Sequence, residues 1–192
     1  VGALRAALGQ NDPALVVLSD LRTGLPDSSD ERNGGDGAAA LVVGTRDVLA
    51  EVVGSAARSV ELLDRWREPT ATTARTWEDR FGEQALVPIA LDALDAALAD
   101  AGLAVGDVDH LVVVGSHDPA ARTLRKRLAS SARSVVDDRM ATVGNTGTAQ
   151  LGVLLADALD TASAGEIVAV LAVGGGADAL VLRCTDALVP WR

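Results

Sequence analysis

The sequence predicts a layered α/β fold. Three observations carry that expectation. Apolar runs of strand length, such as Ala14–Ser19 and Ile167–Val173, alternate with stretches of helical periodicity such as 77–101. The 192 residues suit one domain of ordinary size. Hydrophobic residues make up 48% but aromatics only 2%, so the core must be assembled from small aliphatic contacts between closely packed layers.

Taken in order, residues from Val1 to about Gly9 read as the end of a helix, without an N-cap or initiator Met, as if the chain began mid-helix. Asn11-Asp12-Pro13 is a turn, and Ala14–Ser19 is a continuous apolar run expected to be covered on both faces. Residues 20–35 are polar and rich in Gly, Pro, Asp and Ser, the composition of a surface loop. The Gly35-Asp-Gly-Ala-Ala-Ala40 stretch enters another buried strand ending at Gly44, its small residues allowing close backbone approach for packing or for a ligand. Val48–Val53 and Ser59–Leu63 have β character. A boundary between two structural parts, 1–69 and 70–192, is placed in the polar connection after Pro69.

The stripe of Leu86, Ile89, Ala90, Ala93, Leu94, Ala97 and Leu98 predicts a helix over 77–101, with Pro88 at a kink or early turn and Gly102 as its stop. Val112–Gly115 is a short buried strand, and Pro119 suits the first turn of a basic helix carrying Arg122, Arg125, Lys126 and Arg127. Ala141–Val143 reads as a strand and Gln150–Ala162 as a helix. Ile167–Val173 and Ala179–Cys184 are strands joined by a turn over Gly174–Asp178.

Bulk properties exclude some functions. A net charge of -10 argues against a general nucleic-acid binder, and an anionic ligand must find a local basic patch, which the 122–127 helix alone offers. A single cysteine, Cys184, rules out an intrachain disulfide and fits a reducing cytoplasm. No apolar run approaches membrane-spanning length and no signal-peptide pattern opens the sequence.

Chemistry gathers between Asp109 and Asn145. His110, before the strand and among acidic residues, is simplest as a surface residue. His117 follows a buried strand at the end where α/β folds place ligands, and equally suits a helix cap. Asn145, between Gly144 and Thr146-Gly147, suits a catalytic amide or a left-handed turn. Val173-Gly-Gly-Gly-Ala177 joins two strands instead of opening a helix, which disfavours a dinucleotide-binding reading.

Taken together, these motifs are similar to those of a known family. Gly35-Asp-Gly-Ala-Ala-Ala40, Ser116-His-Asp-Pro119, Gly144-Asn-Thr-Gly147 and Val173-Gly-Gly-Gly-Ala177 stand in the order seen in thiolase-fold condensing enzymes, including type III ketoacyl carrier-protein synthases and hydroxymethylglutaryl-CoA synthases. Asp64-Arg-Trp-Arg67 and Arg80-Phe-Gly-Glu83 look most like the prokaryotic hydroxymethylglutaryl-CoA synthases. The resemblance implies an incomplete thiolase-like αβαβα fold: the end of an N-terminal half, then a C-terminal half. Its implied activity is acyl transfer and condensation in lipid metabolism. Acyl-CoA or acyl carrier protein would be the substrate, with no permanent cofactor and no metal.

By this resemblance His117 matches the catalytic histidine and Asn145 the asparagine of a Cys-His-Asn arrangement. Gly174, Gly175 and Gly176 match the backbone loop beside the acyl oxygen, and Arg122, Arg125, Lys126 and Arg127 would meet the CoA phosphates. The acyl-accepting cysteine would lie just before Val1, in an upstream segment or separate chain. Cys184, in the last strand, is read as structural. Gly147 stands where the hydroxymethylglutaryl-CoA synthases usually carry Tyr, which widens the implied class to acyl-CoA enzymes. Implied partners are the cysteine-bearing segment, a dimer or hetero-oligomer, and a zinc-ribbon/OB-fold protein. A non-catalytic scaffolding subunit of an acyl-CoA complex is the alternative. With a missing half, the chain alone is expected to expose apolar surface and aggregate.

Overall fold

The computed structural model describes residues 2–63, 65–73 and 75–191. Val1 and Asp64, which opened two of the sequence arguments, lie outside them. The elements are α1 (Gly2–Leu8), β1 (Ala14–Asp20), α2 (Ser29–Asn33), β2 (Gly37–Val43), β3 (Ala50–Ser59), β4 (Arg65–Trp66), β5 (Arg75–Thr76), α3 (Asp79–Asp100), β6 (His110–Gly115), α4 (Asp118–Leu128), α5 (Gln150–Thr161), β7 (Ile167–Gly174) and β8 (Gly176–Cys184).

A mixed sheet of order β3-β8-β7-β6 forms the centre, parallel only between β6 and β7. Alternation along its strands feeds two cores. Leu111 and Val113 of β6 join Ala169 and Leu171 of β7 under α3 and α4, with Leu86, Ala90, Leu94 and Leu124. Val112, Val114, Val168 and Val170 point the other way, toward Leu151, Leu154 and Leu155 of α5, Leu4 of α1, and Val16 and Leu18 of β1. Helix α5 therefore meets β6 and β7 on one side and β2 on the other. Gly152 makes this contact possible, because a Cβ there would lie 2.5 Å from that of Ala39. The resulting layers are helix, sheet, helix and a second sheet, here the antiparallel ribbon β1-β2.

Several expectations change. β1 and β2 are strands but only one face of each is covered: Leu15, Val17 and Val42 are 65%, 62% and 79% exposed, because the ribbon packs on α5 from one side only. Val48–Val53 and Ser59–Leu63 are not two strands. One strand, β3, runs through both Ala50 and Ser59, held by antiparallel pairing with β8, and residues 60–63 leave the sheet. Since β3 precedes residue 70 and pairs with β8, the central sheet draws strands from both sides of the 69/70 boundary. Pro88 lies well inside α3, which continues through it. Residues Ala141–Val143 form no strand. The N–H groups of Thr142, Val143 and Gly144 all point to the Arg139 carbonyl, at 3.2, 2.8 and 3.1 Å, closing a turn. The turn between β7 and β8 is also tighter than Gly174–Asp178: Gly174 pairs with Gly176, leaving Gly175 at the tip.

No helix among the described residues is long and apolar enough to cross a membrane.

Candidate active site

The site is built where β6 and β7 end. β6 delivers Ser116 and His117 to the start of α4. His117 is the N-cap of that helix, its backbone extended and its Nδ1 accepting the Ala120 N–H at 3.1 Å. Its role as a cap and its candidacy for chemistry are thus not exclusive. A ring nitrogen that accepts a backbone N–H carries no proton, so in the neutral imidazole the hydrogen sits on Nε2. Nε2 makes no hydrogen bond with any described residue and is not sealed off in the interior. The ring lies against α3 at Gly82, where a Cβ would come within 2.4 Å of Nε2. Gly82 makes room for the histidine.

Asn145 is fixed quite differently. Its backbone N–H donates to the Asn33 carbonyl at 2.6 Å, and its own carbonyl accepts the Gly35 N–H at 3.0 Å. Its side chain accepts the Gly147 N–H through Oδ1 at 2.9 Å and donates from Nδ2 to Asp118 Oδ1 at 2.8 Å. These bonds determine which end of the amide is nitrogen. An amide NH₂ has two hydrogens, so one remains beyond the Asp118 bond. His117 and Asn145 are 8% and 7% exposed. Asp118, adjoining the one in sequence and bonded to the other, couples them.

The next residues are anchored just as firmly. Gln150 is buried, its Oε1 accepting both the Thr146 N–H (2.7 Å) and the Thr146 hydroxyl (2.8 Å), while Nε2 donates to the Asp138 carbonyl at 2.7 Å. Thr148 N–H donates to Asp20 at 3.0 Å. The glycines at 35 and 37 serve this packing: a Cβ on Gly35 would lie 1.9 Å from the Val143 carbonyl oxygen, and one on Gly37 2.7 Å from Thr146. Neither Asp118 nor Gln150 was singled out from the sequence. The available signals were an acidic residue beside His117 and a glutamine opening the helix after the Asn-Thr-Gly motif.

A cleft of about 550 Å³ opens here, lined by Ser116, Gly147, Thr148, Gly174, Gly175 and Gly176 together with Arg5, Arg22, Arg58, Asp20 and Asp178. The glycine loop predicted from the sequence is therefore in the cleft wall, whereas His117 and Asn145 are not among the residues that line it. Arg5 is paired with Asp178 at 2.8 Å, and Arg58 with Asp92.

The basic helix divides. Arg125 is internal to the structure, donating to the Val113 carbonyl at 3.0 Å and pairing with Asp138 at 2.7 Å. Arg122, Lys126 and Arg127 are exposed. Contrary to expectation, α4 is not the sole basic patch. Arg65 and Arg67, two residues apart, meet Arg22 from a distant segment in a second cleft of about 290 Å³ beside Asp30. The hydrogen bond from Arg65, with the nearby charges of Arg65 and Arg22, holds the Asp30 carboxyl below the usual range despite its partial burial.

Other candidates fall away from the site. His110 opens β6 and contacts Glu166 at 2.9 Å; that carboxyl is held low first by the Ser163 N–H and then by His110. Cys184 is buried at the opposite end of β8 from Gly176. No group of three potential metal ligands occurs among the described residues.

Residues 98–184 match the family model described as 3-oxoacyl-[acyl-carrier-protein] synthase III C terminal. The chain has a thiolase-like fold. This thiolase-like architecture superposes on a hydroxymethylglutaryl-CoA synthase complexed with CoA (TM-score 0.74, 16% identity), covering 93% of this chain and 50% of that one. A 3-oxoacyl-(acyl carrier protein) synthase III from Pseudomonas aeruginosa PAO1 is similar at TM-score 0.71 and 22% identity, over 96% of this chain and 61% of that one. The β-ketoacyl-[acyl carrier protein] synthase III from Thermus thermophilus gives 0.73 and 18%, over 97% and 64%. The chain thus spans between half and two thirds of the length of these thiolase-like structures.

Proposed function

We propose that this chain supplies the His/Asn and glycine-loop side of the active site in an acyl-thioester condensing enzyme. Its nucleophile would be a cysteine outside these residues. The observation that carries this reading is the Asp118 link, which couples the Asn145 amide to the helix that His117 caps. Two N–H donors result, Nε2–H of His117 and the second Nδ2–H of Asn145. Such donors polarise a thioester carbonyl and stabilise the oxyanion that forms when it is attacked. The Nδ1 bond to Ala120 favours donation over proton abstraction as the histidine's part. The Gly174–Gly176 turn, with Gly175 open to the cleft, offers backbone N–H groups to the same end.

In this reading the acyl group passes from CoA or a carrier protein to the external cysteine and then to a carbon nucleophile. Exposed Arg122, Lys126 and Arg127 would receive the donor's phosphates, with Arg125 holding the helix to Asp138. The assembly would be cytoplasmic and oligomeric, and a zinc-ribbon/OB-fold protein is a candidate partner. The test is CoA release by the full-length protein on an acyl-CoA panel, comparing wild type with His117→Ala. Activity unchanged by that substitution would overturn the assignment. Absence of CoA release by the wild type would favour the alternative, a subunit that scaffolds such a complex without catalysis.

A further inference from the structure

Of the four cations of α4, Arg125 alone is turned into the structure, its side chain 19% exposed. Nη1 donates to the Val113 carbonyl of β6 at 3.0 Å, and Nη2 pairs with Asp138 Oδ2 at 2.7 Å. From Asp138 two paths lead to Asn145. The Asp138 carbonyl accepts Gln150 Nε2, and Gln150 Oε1 accepts the N–H and hydroxyl of Thr146, the residue after Asn145. Asp138 Oδ1 also accepts the Met140 N–H at 3.1 Å, which shapes the turn at Arg139. The Arg139 carbonyl in turn gathers the N–H groups of Thr142, Val143 and Gly144, the residue before Asn145. Asn145 is thus reached from Asp138 on both sides.

A further bond closes the circuit. Asn145 Nδ2 donates to Asp118 Oδ1, which returns to α4 about two turns before Arg125. The closed ring matters because the backbone around Asn145 cannot place it unaided. Gly144 and Gly147 both have left-handed φ, +87° and +55°, which a residue without a side chain adopts at low cost. The position of the amide between them is therefore set by the hydrogen bonds at its flanks. A guanidinium suits the far corner of such a ring, since its rigid fork holds a carboxylate and a strand carbonyl at once. With that fork committed inward, Arg125 is set apart from the exposed Arg122, Lys126 and Arg127.

We infer that Arg125 is a positioning residue for Asn145: it acts through Asp138, without touching substrate, to hold the second Nδ2–H in place. This rests on the condensation reading, and the test keeps the two apart. In the full-length protein, Arg125→Met lowers kcat for CoA release roughly tenfold and leaves KM within about twofold, whereas loss of a phosphate contact raises KM. Arg125→Met also strands the Asp138 carboxylate. Combining it with Asp138→Asn removes that charge, so the melting temperature recovers while kcat stays low. A readout independent of turnover comes from spectra of protein labelled at asparagine and histidine. The Asn145 side-chain amide signal, identified by its loss in Asn145→Asp, moves in both variants while the His117 ring signals do not. An unmoved Asn145 signal would overturn the inference, as would a kcat restored together with the melting temperature. A rise in KM alone would overturn it too, returning Arg125 to phosphate binding. A wild type that releases no CoA would count against the condensation reading instead, and the Asn145 signal would then decide this inference by itself.

Discussion

His117 and Asn145 are tied together through Asp118, yet they are held by opposite means. The histidine takes its position from one bond to the N–H three residues ahead, inside its own helix. The asparagine takes its position from Asn33 and Gly35 on one distant segment and Asp118 on another, and only one of its bonds, from Gly147, is local. A locally fixed group keeps its geometry as long as its helix exists. One fixed at long range senses every layer of the fold. The first should tolerate substitution of its surroundings, and the second should not.

The largest expected effect tests Asn145 itself. Asn145→Ala leaves Asp118 and the Gly147 N–H without their partner, which should destabilise the fold by about 1–3 kcal/mol. CoA release should fall on the order of 100- to 1,000-fold, the cost of an oxyanion donor elsewhere. A chemical melt and steady-state kinetics on the same samples separate the two effects. His117→Asn sharpens the contrast from the other side. Asparagine is an excellent N-cap, so stability should stay within about 0.5 kcal/mol of wild type while the same assay shows a loss of 100-fold or more. A variant as active as the wild type would reduce the histidine to its capping role.

Gln150→Ala comes next, because it strips the partner at once from two buried groups of Thr146 and from the half-buried Asp138 carbonyl. We expect a loss of about 2–3 kcal/mol in urea unfolding and a fall in activity at a residue outside the cleft wall. Equal losses in Asn145→Ala, Gln150→Ala and the double variant would show them acting as one unit.

The smallest effect concerns pH. Asp30 has its carboxyl held low in the folded state, so its pairing with Arg65 contributes stability above the unfolded carboxylate range near 3.9 and loses it as pH falls through the lower folded value. Arg65→Gln should therefore narrow the difference in unfolding midpoint between pH 6 and pH 3, by well under 1 kcal/mol. An unchanged difference would show that the pair is screened.

The same division explains what was legible in the sequence. Elements governed by neighbours in the chain were: the stripe of α3, the Pro119 start of α4, and the apolar runs of β6 and β7 follow from periodicity and local chemistry. His117 was found because a strand end and a helix start flank it. Features governed by distant segments were not. Nothing near Ala141–Val143 reveals that three N–H groups converge on one carbonyl. Asp118 and Gln150 acquire their meaning only from Asn145, Thr146 and Asp138. The cleft of Arg22, Arg65 and Arg67 was invisible because only the fold brings Arg22 to the Arg65-Trp66-Arg67 stretch.

Helix α5, enclosed between two sheets, also imposes an order on biosynthesis. The ribbon β1-β2 leaves the ribosome well before α5, and the helix that covers Val16 and Leu18 is completed only at Thr161. At roughly 5–20 residues per second, some ten seconds pass with those side chains facing water. β3 waits a comparable time for its partner β8. Throughout that interval strand edges stay unpaired, when a chaperone would be of greatest use.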